Sequence, residues 1–344
     1  MQNKKLLPID KFIELALYDK KKGYYMKKNP FGNLGDFTTS PNISVLFSEM
    51  LSIWIVLFCK SLKNLKQINI IELGAGNGEM IYQIIKTINV LNNNKIKIKF
   101  FIYEKSIFLQ KIQKKKLKNF SVRWIKSFNQ LNNNTNLFIC NEFIDSFPIK
   151  QFSKTKGKWC EKYVDLKKRV FKYKNINIVD LEKKFKLSLS KNQNFIEFSP
   201  SLYSTLKNIS EKIKKTNGGI LIIDYFNMRE DMRDSLQSIK RHKKQDFLKN
   251  VGNADITYVP NYRQLKNMFS LFGLKVGGLS NQGDFLTKLG IEKRAEILSK
   301  NSLFTEKANI FFRMKRLVDV RKMGKLFKVI FICNKKINFK FGLK

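Results

Sequence analysis

The chain has 344 residues, 43% of them hydrophobic, which suffices for a sizeable core and excludes wholesale disorder. Four cysteines are scattered without CxxC spacing, which excludes a disulfide frame and a cysteine zinc site and reads as buried thiols. Lys and Arg number 67 against 27 Asp and Glu, a net charge of +40, for which the obvious reading is a polyanion partner.

In chain order, residues 1–65 read as a mostly helical segment broken by the loop FGNLGDFTTSPNIS. Its apolar run LSIWIVLFC, Leu51–Cys59, is too short to span a bilayer and suits a buried helix. From 66 to 226 strands and helices alternate. INIIEL, IKIKFFIYE, SVRWI and NLFIC read as strands, and GEMIYQIIKTINVL and SIFLQKIQKKKLKN as helices with apolar residues at helical spacing. This alternation predicts an α/β fold with an open, doubly wound parallel sheet. The pattern breaks at about 149–198, where short alternating runs predict an insertion of antiparallel hairpins. A helix near Leu202–Lys215 then returns the chain to the apolar strand GGILIIDYF. Residues 227–300 read as an inserted helical lobe, and 301–344 as strands completing the sheet, at Asn309–Arg313 and Phe327–Cys333.

The charge has two readings. A polyanion partner is one. The other is drift: Lys, Asn, Ile and Phe share A/T-rich codons, and the lysines are spread along the whole length rather than gathered in one patch. The even spread favours a solvated surface, and nucleic acid is disfavoured as a partner. No apolar leader follows the early lysines and no run reaches membrane-spanning length. The expectation is a soluble, cytoplasmic protein without membrane insertion.

IELGAGNGEM carries the strongest local signal. Gly74, Gly76 and Gly78 occupy a tight turn between a strand and a helix, where the lack of Cβ lets the backbone approach a ligand. Glu79 stands where a dinucleotide fingerprint would have its third glycine, and no Lys-Ser/Thr follows, so this is not a nucleoside-triphosphate loop. Glu72 precedes the first glycine, and an acid there suits an amine-bearing or cationic ligand. Glu104 ends the second strand, where an acid can take both hydroxyls of a ribose. The order E-x-G-x-G-x-G resembles motif I of class I S-adenosylmethionine-dependent methyltransferases.

NEFIDSFPIK follows the strand NLFIC and places Asn141, Glu142 and Asp145 at its carboxyl end, where doubly wound sheets bind ligands. Two acids there would face the reactive end of the methyl donor. Asn141 adds amide contacts. The Asp/Asn-Pro-Pro-aromatic and Pro-Cys patterns of nucleic-acid methyltransferases are absent at this strand end. In GDFTTSP, Asp36, Thr39 and Ser40 form a polar cluster expected to fold over the methionine end of the cofactor, with Gly32 and Gly35 as hinges. An alternative reading, compatible with the first, has Ser40 cap the following helix, with Pro41 at its first position. Asp224 ends the strand LIID, and the lone His242 in KRHKK has no second histidine with which to hold a metal; no metal site is expected.

With these residues in view, the chain resembles the MidA-type methyltransferases over nearly its whole length. GDFTTSPNISVLFSEML, ELGAGNGEM, NEFIDSFPIKQF, IIDYF, QGDFLTKLGI and MGKLFKV carry the resemblance. It departs from the family pattern at Phe226, where Gly is usual, and at Tyr258-Val259-Pro260, where His-Val-Asp is usual. The resemblance implies a class I, Rossmann-like methyltransferase sheet with S-adenosyl-L-methionine as cofactor. It also implies methylation of a protein arginine, with a respiratory complex I subunit as partner. A small-molecule methyltransferase and a cofactor-binding assembly factor without turnover stand as alternatives. Asn141, Glu142 and Asp145 are the expected catalytic residues. Glu72, Gly74, Gly76, Gly78, Glu104, Asp36, Thr39 and Ser40 are the expected cofactor-binding residues.

Overall fold

The apolar runs between the glycines and asparagines form strands buried on both faces. The computed structural model describes residues 6–32, 36, 38–91, 96–240, 243–246 and 248–344. These fall into two units, one of Met1–Lys28, Ile144–Ser210 and Phe226–Phe272, the other of Asn29–Phe143, Glu211–Tyr225 and Gly273–Lys344.

The second unit is built on one seven-stranded sheet. Its strands are β1 (Gln67–Leu73), β2 (Lys97–Tyr103), β3 (Val122–Ile125), β4 (Thr135–Asn141), β5 (Gly219–Tyr225), β6 (Lys275–Asn281) and β7 (Phe327–Cys333). The spatial order is β6-β7-β5-β4-β1-β2-β3. Neighbours from β5 to β3 run parallel, and β7 is antiparallel to both β5 and β6. The order reverses between β1 and β4, so their carboxyl ends flank the crevice at which such sheets bind ligands. This is the α/β architecture expected of a class I methyltransferase.

Helices α1 (Val45–Ser61), α2 (Glu79–Leu91) and α3 (Ile107–Lys116) belong to this unit, as do α4 (Gln282–Lys288), α5 (Ile291–Ser299) and α6 (Phe304–Val318). The side chain of Ser44 caps α1 by accepting from the Leu46 amide at 3.3 Å. Ser40 instead begins the separate short helix Ser40–Ile43, so it does not cap α1 as the alternative reading had it. Trp54 of α1 is fully buried against Phe58, Phe331 and Phe339, and its indole N–H donates to the Phe341 carbonyl at 3.0 Å. The apolar run that includes Leu51–Cys59 is thus core. Among the described residues no helix is long and apolar enough to cross a membrane.

In the first unit, Lys150–Thr155, Lys158–Asp165, Val170–Ile176, Phe195–Phe198 and Leu6–Pro8 form one antiparallel sheet. Lys156 and Gly157, both with positive φ, make the two-residue turn whose twist suits a hairpin. The helices Ile9–Tyr18, Ile178–Phe185 and Tyr262–Leu271 accompany it.

Two expectations are corrected. Residues 227–300 are not a helical lobe: they hold a three-stranded sheet of Gln237–Lys240, Lys243–Gln245 and Asp255–Thr257, one helix, and then β6, α4 and α5 of the main unit. The strands are short and polar, so they carry no alternation to read. Asn309–Arg313 is not a strand but lies inside α6, because Met314 and Leu317 extend its apolar positions at helical spacing.

Candidate functional site

Leu73 ends β1 and Glu79 begins α2, which leaves five residues, Gly74 to Gly78, to reverse the chain. Gly74, Gly76 and Gly78 have φ of +66°, +53° and +77°. A Cβ at Gly74 would sit 2.7 Å from the Phe143 ring, and one at Gly76 would sit 3.1 Å from the Phe31 ring. Both conformation and space therefore demand glycine at these two positions. The Gly78 amide closes the turn on the Ala75 carbonyl at 2.7 Å.

A chain of amides ties the 38–44 segment to this turn. Asn77 donates to Asn42 at 2.8 Å, and Asn42 donates to the Thr39 hydroxyl at 2.8 Å. Asn77 also accepts from the Glu79 amide at 3.2 Å, capping α2. Asn42 and Asn77 did not emerge from the sequence; an asparagine inside a glycine turn reads as turn chemistry alone.

Glu72 lies on β1 with 3% of its surface exposed, and its Oε2 has no hydrogen-bond partner. Burial pushes its carboxyl up to about 8; an opposing hydrogen bond from the Ile81 backbone lowers it, and nearby Glu104 adds to the rise. Glu104 is pushed up to about 7, again chiefly by burial. Its Oε1 accepts from the Ser106 amide at 2.8 Å and its Oε2 from Gln113 at 3.2 Å. Gln113 is fully buried and also donates to the Gly76 carbonyl at 2.8 Å, while Trp124 donates to its Oε1 at 2.8 Å. One carboxamide thus holds the strand-two acid and the glycine turn together. Nothing in KIQKKK marks this residue out, because a lone Gln among lysines looks solvated.

At the end of β4, the Asn141 side chain donates to Glu142 Oε1 at 3.0 Å, and its own Oδ1 is buried without a partner. Glu142 donates its amide to the Ile223 carbonyl at 2.9 Å and then turns the chain with φ +51°. A left-handed backbone costs a non-glycine residue about 1 kcal/mol, and such strain gathers at functional sites.

Thr39, Glu72, Gly74, Gly76, Asn141 and Glu142 line one small, open cleft of about 40 Å³, together with Phe31, Asn42 and Asn77. The unpartnered oxygens of Glu72 and Asn141 fit a donor-rich, cationic ligand, and the bare backbone at Gly74 and Gly76 fits a close-lying one. The other expected residues are not among those that line it. Gly78 packs on Gln113, and Glu104 is held beside the turn by the same Gln113. Ser40 is fully buried and donates to Gln282 at 3.3 Å. Asp36 is buried; Gly35, Phe37 and His242 lie outside the described residues. Gly32 has φ +97° with open space around it. Asp224 is fully buried and accepts from the Tyr225 amide at 2.9 Å. Asp145 is buried and belongs to the other unit, where its charge helps raise the Tyr25 phenol, after burial and Asp255.

Residues 50–280 match the family model described as an S-adenosyl-L-methionine-dependent methyltransferase. The chain is 26% identical to the mitochondrial protein arginine methyltransferase NDUFAF7 of Xenopus tropicalis, over 94% of this chain and 81% of that protein. The human NDUFAF7 is 24% identical over 93% and 78%. A COG1565 superfamily member from Burkholderia thailandensis, crystallised with S-adenosyl-homocysteine, superposes with a TM-score of 0.80 at 19% identity, over 98% of this chain and 89% of that one. These relatives correct the expected cytoplasmic location, because the NDUFAF7 proteins are mitochondrial. Scattered thiols do not separate one reducing compartment from another.

Proposed function

Because the chain belongs to the MidA-type family of S-adenosyl-L-methionine-dependent methyltransferases, we propose that it methylates an arginine side chain of a protein. The observation that carries this reading is the end of β4: a carboxylate, Glu142, in a strained backbone, oriented by Asn141 in the wall of the cleft. The names of the relatives, protein arginine methyltransferases, support the same acceptor. A respiratory complex I subunit is the substrate to which the sequence resemblance points.

The cofactor supplies, when bound, a methyl group on a sulfonium cation. Glu72 would accept from its ammonium group, and Gly74 and Gly76 would let it lie against the backbone. Glu104, fixed by Ser106 and Gln113, would take the ribose hydroxyls. Glu142 would hold the guanidinium of the acceptor, which is too basic to lose its proton beforehand. The carboxylate offsets that charge and directs one nitrogen toward the methyl group. It then takes up the proton released with or after transfer. Asp145 is proposed as the second acid.

The test is incubation of the protein with radiolabelled S-adenosylmethionine and lysate from a strain lacking it. Label on a polypeptide, recovered as methylarginine after hydrolysis, is the expected result. Label confined to small metabolites or nucleic acid, or no transfer at all despite cofactor binding, would overturn it. In Glu142→Gln the rate should fall by about 10²-fold or more, with cofactor affinity nearly unchanged.

A further inference from the structure

We propose that the face made by α5, α6 and the turn after α6 docks on an anionic lipid surface. α6 buries Met314 and Leu317, and Ile310 and Val318 are half-buried beside them. At 100° per residue, Phe304, Ala308, Phe312 and Lys315 fall together on the opposite, solvent side. Phe304 is 85% exposed and Leu303, just before it, 73%. Ile297 of α5, Phe312, Val320 and Leu326 are exposed as well.

Codon drift does not explain this placement. The chain has 30 phenylalanines, and among the described residues only Phe304, Phe312 and Phe341 are exposed. Two of these three share one face of one helix, which is a gathering rather than a scatter.

The face is bordered by basic residues. Of the α6 cations Lys315 lies within it and Arg316 at its edge, while Lys307 and Arg313 fall outside it at 100° per residue; α5 adds Glu292 and Glu296 against Lys293 and Arg294. Arg321, Lys322 and Lys325 follow, and the neighbouring Asp319 already pairs with Arg321. Lys322 places its ammonium 5.2 Å above the Phe312 ring. A second copy of the chain would set these like charges against each other. Nucleic acid would meet the charges and stack on aromatics, but it gives no home to Leu303, Val320 and Leu326. A lipid interface accepts both sets, with apolar side chains at the acyl boundary and Lys and Arg among anionic headgroups. The contact lies on the membrane rather than across it and does not depend on the methyl acceptor.

Co-sedimentation of the full chain tests this, with vesicles of phosphatidylcholine alone and of phosphatidylcholine with phosphatidylglycerol. Binding should appear with the anionic vesicles and be weak with the neutral ones. A Phe304→Ser/Phe312→Ser variant should bind about ten-fold more weakly or worse, and Lys315→Glu/Arg316→Glu should lose binding too. All four positions are exposed, and an unchanged melting temperature and S-adenosyl-homocysteine affinity would show that the variants fold. Equal binding to both vesicles, or full binding by the phenylalanine variant, would overturn the proposal. So would a dimer in size-exclusion chromatography that this variant dissociates, or capture of RNA or an acidic protein through this face while vesicles stay free.

Discussion

A carboxyl group buried on a core strand with one oxygen unpartnered is a standing cost to the ligand-free protein, and Glu72 is such a group. Its folded pKa, about 8, is raised above the ordinary carboxylate value, so the folded state holds this proton over a pH range where the unfolded chain has lost it. Its contribution to stability is therefore fully present below about pH 4.5 and is lost as pH rises through about 8. Glu104, at about 7, acts in the same direction. The melting temperature of the cofactor-free protein should fall from pH 5 to pH 8 by more than that of Glu72→Gln. At pH 8 the variant should be the more stable of the two and the weaker cofactor binder; identical pH profiles would show that Glu72 is not the group responsible. Gln113 gives a second test. Gln113→Leu removes the bridge between Glu104 and the Gly76 carbonyl and leaves the Trp124 indole unpaired. Losing a hydrogen bond to a charged group costs about 1.5–3 kcal/mol, so calorimetry should find S-adenosyl-homocysteine bound at least ten-fold more weakly. The glycines and strand-end acids were legible in the sequence because their letters carry the chemistry: a missing Cβ, a charge among apolar residues. The amides Asn42, Asn77 and Gln113 were not, because an amide acquires its role only from what tertiary folding brings within 3 Å of it.

Elements show why some family-like segments are glycine-bearing yet far from the cleft in sequence. In QGDFL, a Cβ on Gly283 of α4 would lie 2.4 Å from the Val318 carbonyl oxygen. In MGKLF, one on Gly324 would lie 2.0 Å from the same oxygen. Both glycines let backbone meet backbone at the end of α6, and Gln282 seals the joint by donating to the Leu317 carbonyl at 3.0 Å. Neither obstacle is a flexible side chain, so an added methyl must move a helix. Gly324→Ala should destabilise by about 3 kcal/mol or more, read as a lowered midpoint in urea, whereas alanine at Gly290, where nothing lies within 4 Å, meets only the strain of φ +87°. Equal midpoints for the two would refute the packing account. The same logic explains what was hard to read as secondary structure. β6 is KVGGLSN, weak in strand propensity, and its pairing with β7 slips between Val276 and Gly278. Gly277 is required because a Cβ there would stand 2.8 Å from the Phe331 ring. Packing on a neighbour overrode local preference in β6. β1, β2 and β4 were legible because long apolar runs bounded by glycine or asparagine leave little else to form.

At the scale of the whole molecule the net charge of +40 opposes folding by self-repulsion, whatever its origin. With 67 basic and 27 acidic side chains, most cations can have no carboxylate of their own. The ion pairs among the described residues include strongly exposed ones, such as Arg233–Asp231 and Lys293–Glu296, which contribute little each. Repulsion between exposed charges acts over distances that salt screens, with a Debye length of about 30 Å at 0.01 M and about 8 Å at 0.15 M. Buried groups such as Glu72 are shielded from mobile ions and respond far less. Raising sodium chloride from about 0.01 to 0.15 M should therefore raise the melting temperature of the cofactor-free protein by several degrees. Glu72→Gln should show the same rise, since its effect is local. If the dominant electrostatic contribution were instead favourable pairing, salt would weaken it and the melting temperature would fall. A flat response would mean that the lysines are spaced widely enough for water alone to screen them, and that the charge does not limit stability.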